Sequence, residues 1–272
     1  MKRNDVLKLV AMITMVIDHI GYMFGEELRQ PLYFMSYSLF GRTDVITPDL
    51  FRIIGRIAFP IFAYMVAMGW KHTRSRKKYF QRLCLFGLVS QLPYMFFNPG
   101  MEMHFMRLNV IILFAFSLGA LYLLDLLIDS RSWVVGFMLL CYIALPMVYE
   151  QSLNGAMFSY STYGVLMIML FYKIEKPIPV VLAYFGLTAL YNMALLPISY
   201  AHWYGFDYVR ENYRPIIEHI FTNSTQQMSV LALPFIVLLP KFNFKFTLNK
   251  FVGYWFYPGH MAIIMLIRIV FY

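Results

Sequence analysis

Nine apolar stretches, each close to the length of a bilayer-crossing helix, follow one another along this chain with short polar connections between them. A crossing helix needs about 20 mostly apolar residues. On that ruler the stretches fall near 6–25, 50–70, 80–97, 108–128, 132–150, 160–174, 177–198, 227–240 and 251–271. The sixth and eighth are short, which sets the range at eight to ten crossings. Inside a bilayer a backbone must satisfy its own N–H and C=O groups, and within one segment only a helix does so. The pattern predicts an all-α, polytopic helical bundle in a membrane. No internal repeat and no linker interrupts it, so residues 1–272 read as a single transmembrane domain.

Composition closes off the soluble alternative. Residues of the set AVILMFWYC make up 60% of the chain and charged residues 14%, against roughly 45–50% and about 25% for soluble domains. A chain of 272 residues has too little interior to hide that much apolar surface from water. A soluble enzyme, a disordered chain and a secreted disulfide scaffold are excluded. The two cysteines, Cys84 and Cys141, both lie in apolar stretches and imply no disulfide framework. The net charge of +9 does not indicate nucleic acid, because the cations sit in short tracts between apolar runs. The opening Met1-Lys2-Arg3-Asn4-Asp5 followed by an apolar run has the charge order of a signal peptide. Asp18-His19 breaks that run and no small-residue cleavage site follows, so an uncleaved first membrane helix is expected.

The cations also orient the chain. With a cytoplasmic N-terminus, the inside segments hold Lys2, Arg3, Lys8; Lys71, Arg74, Arg76, Lys77, Lys78, Arg82; Arg131; Lys173, Lys176; and Lys241, Lys245, Lys250, most of the 23 Lys and Arg. The others, all arginine, fall in outer halves or outer loops. The positive-inside rule then predicts N-in and, with nine crossings, C-out. The tract from Lys71 to Lys78 is the strongest such signal. It reads as a topology anchor, with docking of an anionic cytoplasmic cofactor such as a phosphorylated nucleotide as a second role. Segments 26–49 and 199–226 face outward in this arrangement and are rich in aromatic residues. They read either as interfacial helices or as a lid or acceptor platform.

Ionisable side chains within a membrane are costly and point to function. Asp18 and His19 lie in the first stretch, with Thr14, Asp18 and Tyr22 on one helical stripe and His19 about 100° round from it. Arg52 and Arg56, four apart, share a face of the second. His260 lies in the ninth, and the uncharged Gln91 and Asn109 lie in the third and fourth. At 1.5 Å per residue the charged groups and Gln91 fall in the middle band of a core ~30 Å thick. Two readings of the residues stand. One is a buried structural ion pair between Asp18 and an arginine with His19 as a polar neighbour. The other is a working site, in which His19 beside a carboxylate acts as a base and the arginines hold phosphate or an oxyanion. No metal is expected, since the histidines lack ligand spacing, and no phosphate-loop motif is present.

Certain motifs carry a resemblance. Ile17-Asp18-His19-Ile20-Gly21, the run Gly55-Arg56-Ile57-Ala58-Phe59-Pro60-Ile61-Phe62-Ala63-Tyr64, Val89-Ser90-Gln91-Leu92-Pro93, Leu108-Asn109-Val110 and Tyr257-Pro258-Gly259-His260 occur in that order. This order resembles the TraX family, named for a conjugation-associated membrane protein linked to N-terminal acetylation of pilin. The resemblance is dense over 8–125, returns at 250–265 and is generic between 130 and 250. Gly259 stands where the family usually has a bulkier residue.

The resemblance implies a bacterial inner-membrane acyltransferase of the acyltransferase-three type, moving an acyl group, usually acetyl, from cytoplasmic acyl-CoA to an extracytoplasmic acceptor. Carried over by position, it implies Asp18, His19, Arg56 and His260 as catalytic. Arg52, Arg74, Arg76, Lys77, Lys78, Gln91 and Asn109 complete the site on the acetyl-CoA side. In that scheme Asp18 orients His19, which serves as base or is itself acylated, Arg56 with Arg52 stabilises the oxyanion, and His260 is a second acid or base. The acceptor is a protein N-terminus, a glycan or a lipid. A transporter using the same buried charges as a relay is the rival reading, and a non-catalytic membrane scaffold is the third.

Overall fold

The structure, a computed structural model, describes residues 5–29, 37–39, 42–45, 47–152, 158, 160–223, 225–242 and 245–271. In chain order the helices are α1 (Asp5–Met23), α2 (Gly25–Arg29), α3 (Thr47–Gly55), α4 (Ala58–His72), α5 (Arg76–Met95), α6 (Val110–Ser130) and α7 (Trp133–Ser152). They continue with α8 (Ser161–Lys173), α9 (Pro177–Leu190), α10 (Leu196–Tyr204), α11 (Phe206–Glu211), α12 (Tyr213–Asn223), α13 (Leu233–Leu238) and α14 (Lys250–Phe271). A π turn, Tyr191–Leu195, joins α9 to α10, and 3-10 turns flank α13. A short antiparallel pair, β1 (Tyr37–Leu39) and β2 (Arg42–Val45), sets Tyr37 opposite Val45 and Leu39 opposite Arg42.

Each of the nine apolar stretches is helical over most of its length. Among the described residues, five helical segments are long and apolar enough to cross a membrane: Asp5–Met23, Leu50–His72, Val110–Ser130, Pro177–Ile198 and Phe251–Phe271. Trp133–Tyr149 and Gln226–Lys241 are apolar but shorter. The remaining two stretches differ for distinct reasons. α5 starts on the basic Arg76-Lys77-Lys78 rather than in the apolar run, and α8 has 13 residues, about 20 Å of helix against a core of ~30 Å. Leu88, Leu140, Leu182 and Leu266 are each at least 60% exposed, an arrangement suited to lipid and unfavourable in water.

The helices group into two compact units. The first comprises Met1–Phe62, Phe96–Glu102 and Phe206–Tyr272. In it α1 packs against α3 and α14, and α3 also meets the turn Thr225–Ala232. Leu7, Ala11, Met12 and Met15 of α1, Ile53 of α3 and Met261 of α14 are buried there. The buried Asp5 accepts a 2.8 Å bond from the Leu248 N–H and fixes the run into α14. Between α3 and α4 the chain tightens to bonds from Arg56 N to Ile53 O and from Ile57 N to Ile54 O. Pro60 explains the break, because it cannot donate to the Arg56 carbonyl and its ring crowds that group.

Of the two aromatic-rich segments expected to face outward, 26–49 carries α2 and the β1–β2 pair, with 30–36, 40, 41 and 46 outside the described residues. Segment 199–226 is helical through α11 and α12, with 224 outside them. In α12, Ile216 and Ile220 are buried while Arg214 and Glu218 pair on the exposed side at 3.0 Å, an amphipathic layout.

The second unit comprises Ala63–Met95 and Met103–Gly205. Here α6 packs against α5, α7 and α8, in keeping with a helix that carries no charged residue over Val110–Leu124. Asn109 caps it, accepting from Ile111 N at 2.9 Å and Ile112 N at 3.2 Å. Tyr142 of α7 crosses α6 at Gly119, where a Cβ would overlap its hydroxyl, and donates to the Phe116 carbonyl at 3.0 Å.

Candidate functional site

The site in the first unit is built where α1 crosses α3. Gly55 makes the crossing close, since a Cβ there would overlap Cβ, Cγ and Oδ1 of Asp18. Arg52 Nη1 donates to Asp18 Oδ2 at 2.6 Å and Arg56 Nη2 to Asp18 Oδ1 at 3.0 Å, so one carboxylate is bracketed by two guanidiniums. Arg52 stands in the last turn of α3 and Arg56 in the tightened turn that follows it, and both guanidiniums reach the same carboxylate. Arg56 Nε also donates to the Arg52 carbonyl at 3.2 Å, and the Arg52 guanidinium lies 5.1 Å from the centre of the Tyr22 ring. The Asp18 and Arg56 side chains are 13% and 14% exposed. Little water is left to screen the pairing, and the three side chains together sum to one positive charge.

One residue further along α1 the chemistry changes. Nδ1 of His19 lies 2.7 Å from Nε2 of His260 on α14, and Nδ1 of His260 lies 2.7 Å from the Phe256 carbonyl oxygen. The two imidazole centres are 4.8 Å apart with planes 15° off parallel, which with so short an N···N distance is an in-plane hydrogen bond. Phe97 lies against His19 at 4.8 Å, and Phe256 and Tyr257 lie against His260 at 4.7 and 5.7 Å. His260 is buried.

Phe97 belongs to the connection 96–102, which is tied down by the far end of α14. Arg268 donates to the carbonyls of Pro99 at 2.8 Å and Met23 at 2.6 Å, and pairs with Glu27 at 2.7 Å. The bond from Arg268 holds the Glu27 carboxyl below the usual carboxylate range.

The second unit holds the other residues singled out from the sequence. Asn109 donates to the Gly87 carbonyl and to Gln91 Oε1, both at 2.8 Å, and Gln91 donates to the Arg107 carbonyl at 2.7 Å. These two side chains join α5 to the start of α6. Arg76 pairs with Asp125 at 2.9 Å and covers the Trp70 ring at 4.8 Å, while Tyr172 donates to Asp125 at 2.7 Å. Lys71 pairs with Glu175 and holds that carboxyl below its usual range. Arg74, Lys77 and Lys78 are exposed. Among the described residues no three His, Cys, Asp or Glu side chains gather as a metal-holding group.

Asp18, His19, Arg52, Arg56 and His260 thus come together, as their sequence positions at similar depth suggest. One expected contact is different. The Asp18 carboxylate goes to the arginines, and His19 is held by His260. Adjacent residues on a helix point about 100° apart, so Asp18 and His19 address different neighbours. Phe97, Gly55 and the Arg268–Glu27 pair escape a reading of the sequence. Only Arg268 leaves a signal there, as a lone cation in the apolar run 251–271 whose partner must lie elsewhere.

Fold and site define a helical membrane protein in which one half-buried carboxylate holds two arginines beside a bonded histidine pair. The chain belongs to the TraX family: the family model described as TraX protein matches residues 3–268. It is 29% identical over 177 residues to Protein TraX of Escherichia coli, a match covering 64% of this chain and 57% of that protein. It is 27% identical over 85 residues to "Probable fimbrial assembly protein FimC, serogroup H1" of Dichelobacter nodosus, covering 31% of this chain and 28% of that protein. The chain therefore matches a little over half and about a quarter of these relatives' lengths. No solved structure matches it.

Proposed function

We propose that this protein is a membrane-embedded acyltransferase that moves an acyl group, acetyl in the first instance, from cytoplasmic acyl-CoA to an extracytoplasmic acceptor. In this reading it sits in the bacterial inner membrane with nine crossings, its N-terminus cytoplasmic and its C-terminus outside. The observation that carries the reading is the bonded pair His19–His260 next to the Asp18–Arg52–Arg56 cluster, on helices long and apolar enough to cross a bilayer. His19 takes the proton of the acceptor hydroxyl or amine as its oxygen or nitrogen attacks the thioester carbonyl. Arg52 and Arg56 stabilise the oxyanion that forms. As the oxyanion collapses the C–S bond breaks, and His19 returns the proton to the departing thiolate. Arg74, Lys77 and Lys78 meet the phosphates of the donor at the cytoplasmic face. The fimbrial-assembly name of one relative puts surface-fibre subunits first among protein acceptors to try.

The test uses inverted membrane vesicles supplied with acetyl-labelled acetyl-CoA, with label followed into protein, lipid and glycan fractions. Label that needs the wild-type protein and is lost in His19→Ala at equal expression supports the reading. Equal label with His19→Ala overturns the role of His19. No label, together with no binding of acetyl-CoA by the purified protein, overturns the acyltransferase reading in favour of a relay transporter, which proteoliposome proton flux then measures.

A further inference from the structure

We infer that His260 is a positioning residue that fixes the tautomer of His19 and thereby selects Nε2 of His19 as its proton-accepting nitrogen. The inference deepens the reading of His19 as the base, but the tautomer itself follows from bonds already described. A peptide carbonyl can only accept, so Nδ1 of His260, 2.7 Å from the Phe256 oxygen, carries a hydrogen. A neutral imidazole has one N–H, so Nε2 of His260 carries a lone pair. At 2.7 Å from that lone pair, Nδ1 of His19 must be the donor. The hydrogen of neutral His19 is then on Nδ1, and its lone pair is on Nε2.

This is the reverse of the tautomer a free histidine side chain favours, so it has to be imposed. In a serine-protease triad a buried carboxylate imposes it. Here Asp18 is engaged by Arg52 and Arg56, and the Phe256 carbonyl acting through His260 stands in its place. The carbonyl has two lone pairs, so it can serve the helix and the ring together. When Nε2 of His19 gains a proton, Nδ1–H continues to donate to His260. The charge therefore forms on a ring that is already held, and nothing rotates during transfer. Phe97 against one ring and Phe256 against the other keep the two planes in register.

The experiment is solid-state nitrogen NMR on the full-length protein in lipid nanodiscs with ring-labelled histidine. The two resonance pairs are identified by their loss in His19→Asn and His260→Asn. The expected wild-type spectrum has both rings protonated at Nδ1 and bare at Nε2. In His260→Leu the His19 hydrogen moves to Nε2, and acetyl transfer loses on the order of a hundredfold in kcat with KM for acetyl-CoA unchanged. In His260→Gln, whose amide oxygen can accept from Nδ1–H, the tautomer and part of the rate are kept. A wild-type His19 protonated at Nε2, or a His19 tautomer unmoved in a folded His260→Leu protein, overturns the inference. If His260→Leu fails to fold, the wild-type spectrum and His260→Gln decide it. Absence of acetyl transfer alone would count against the acyltransferase reading, because the spectrum reports the tautomer independently of turnover.

Discussion

Gly55 and Asp18 occupy one volume at the crossing of α1 and α3: the space a Cβ would take at position 55 is filled by the Asp18 side chain. Gly55→Ala therefore forces the carboxylate away from its arginines. The expected cost is about 1–3 kcal/mol, as for other overpacked sites, read from unfolding in mild detergent with a graded denaturant. Gly186→Ala, with nothing within 4 Å of the new methyl, should leave the transition where it is. Equal behaviour of the two variants would mean the crossing is looser than described.

Removing the shared carboxylate should be worse than removing either partner. Asp18→Asn removes the carboxylate that both guanidiniums share and is expected to cost about 3 kcal/mol. Arg56→Gln costs less, because Asp18 keeps its 2.6 Å bond to Arg52. The double variant should be less destabilised than the sum of the singles, the signature of directly coupled side chains. Additive losses would argue against the bracketed carboxylate.

Arg268 holds the connection that places Phe97 on His19. Arg268→Met removes a charged bond to the Pro99 carbonyl worth about 1.5 kcal/mol, so hydrogen exchange at 96–102 should speed up by roughly tenfold. Acid should loosen the same connection. Glu27 has its carboxyl held below its ordinary value of 4.5 by Arg268. The stabilisation is complete above the ordinary value and is lost as pH falls through the lowered one. Exchange at 96–102 is thus expected to rise with acid only below about pH 4.5 in the wild type. In Glu27→Gln this acid-dependent step should disappear.

The basic tract divides into two kinds of residue. Arg74, Arg76, Lys77 and Lys78 are all exposed, but Arg76 also pairs with Asp125 and covers Trp70. Under the proposed function, replacing Arg74, Lys77 and Lys78 by alanine removes about 0.5 kcal/mol apiece and raises KM for acetyl-CoA by about tenfold at low salt. Added salt should shrink the difference, and thermal stability should be unchanged. Arg76→Ala should do the opposite, lowering the unfolding midpoint. The same KM effect from Arg76→Ala without loss of stability would return it to the donor-binding residues.

Arg52 and Arg56 illustrate what was legible beforehand. Their spacing puts them on one face, their depth demands a carboxylate, and Asp18 is at the matching depth, so that cluster follows from helix geometry and the cost of desolvating charge. Asn109 and Gln91 show the limit. As polar residues in apolar stretches they read as ligand contacts, and the structure adds a second role that spacing does not show: Asn109 caps α6 and Gln91 braces it. A lone asparagine before an apolar run has the form of a helix cap.

The sequence by itself determined that this chain is helical and belongs in a membrane. That follows because an apolar run of sufficient length leaves the backbone no partner but itself. It also determined which side chains are too costly to bury without a purpose. The tertiary structure decided who meets whom. His19 and His260 stand 241 positions apart, and no local rule of spacing reaches across that gap. Only the packing of α14 against α1 turns two isolated histidines into one bonded pair, and only the crossing at Gly55 commits Asp18 to its arginines instead of to the histidine beside it.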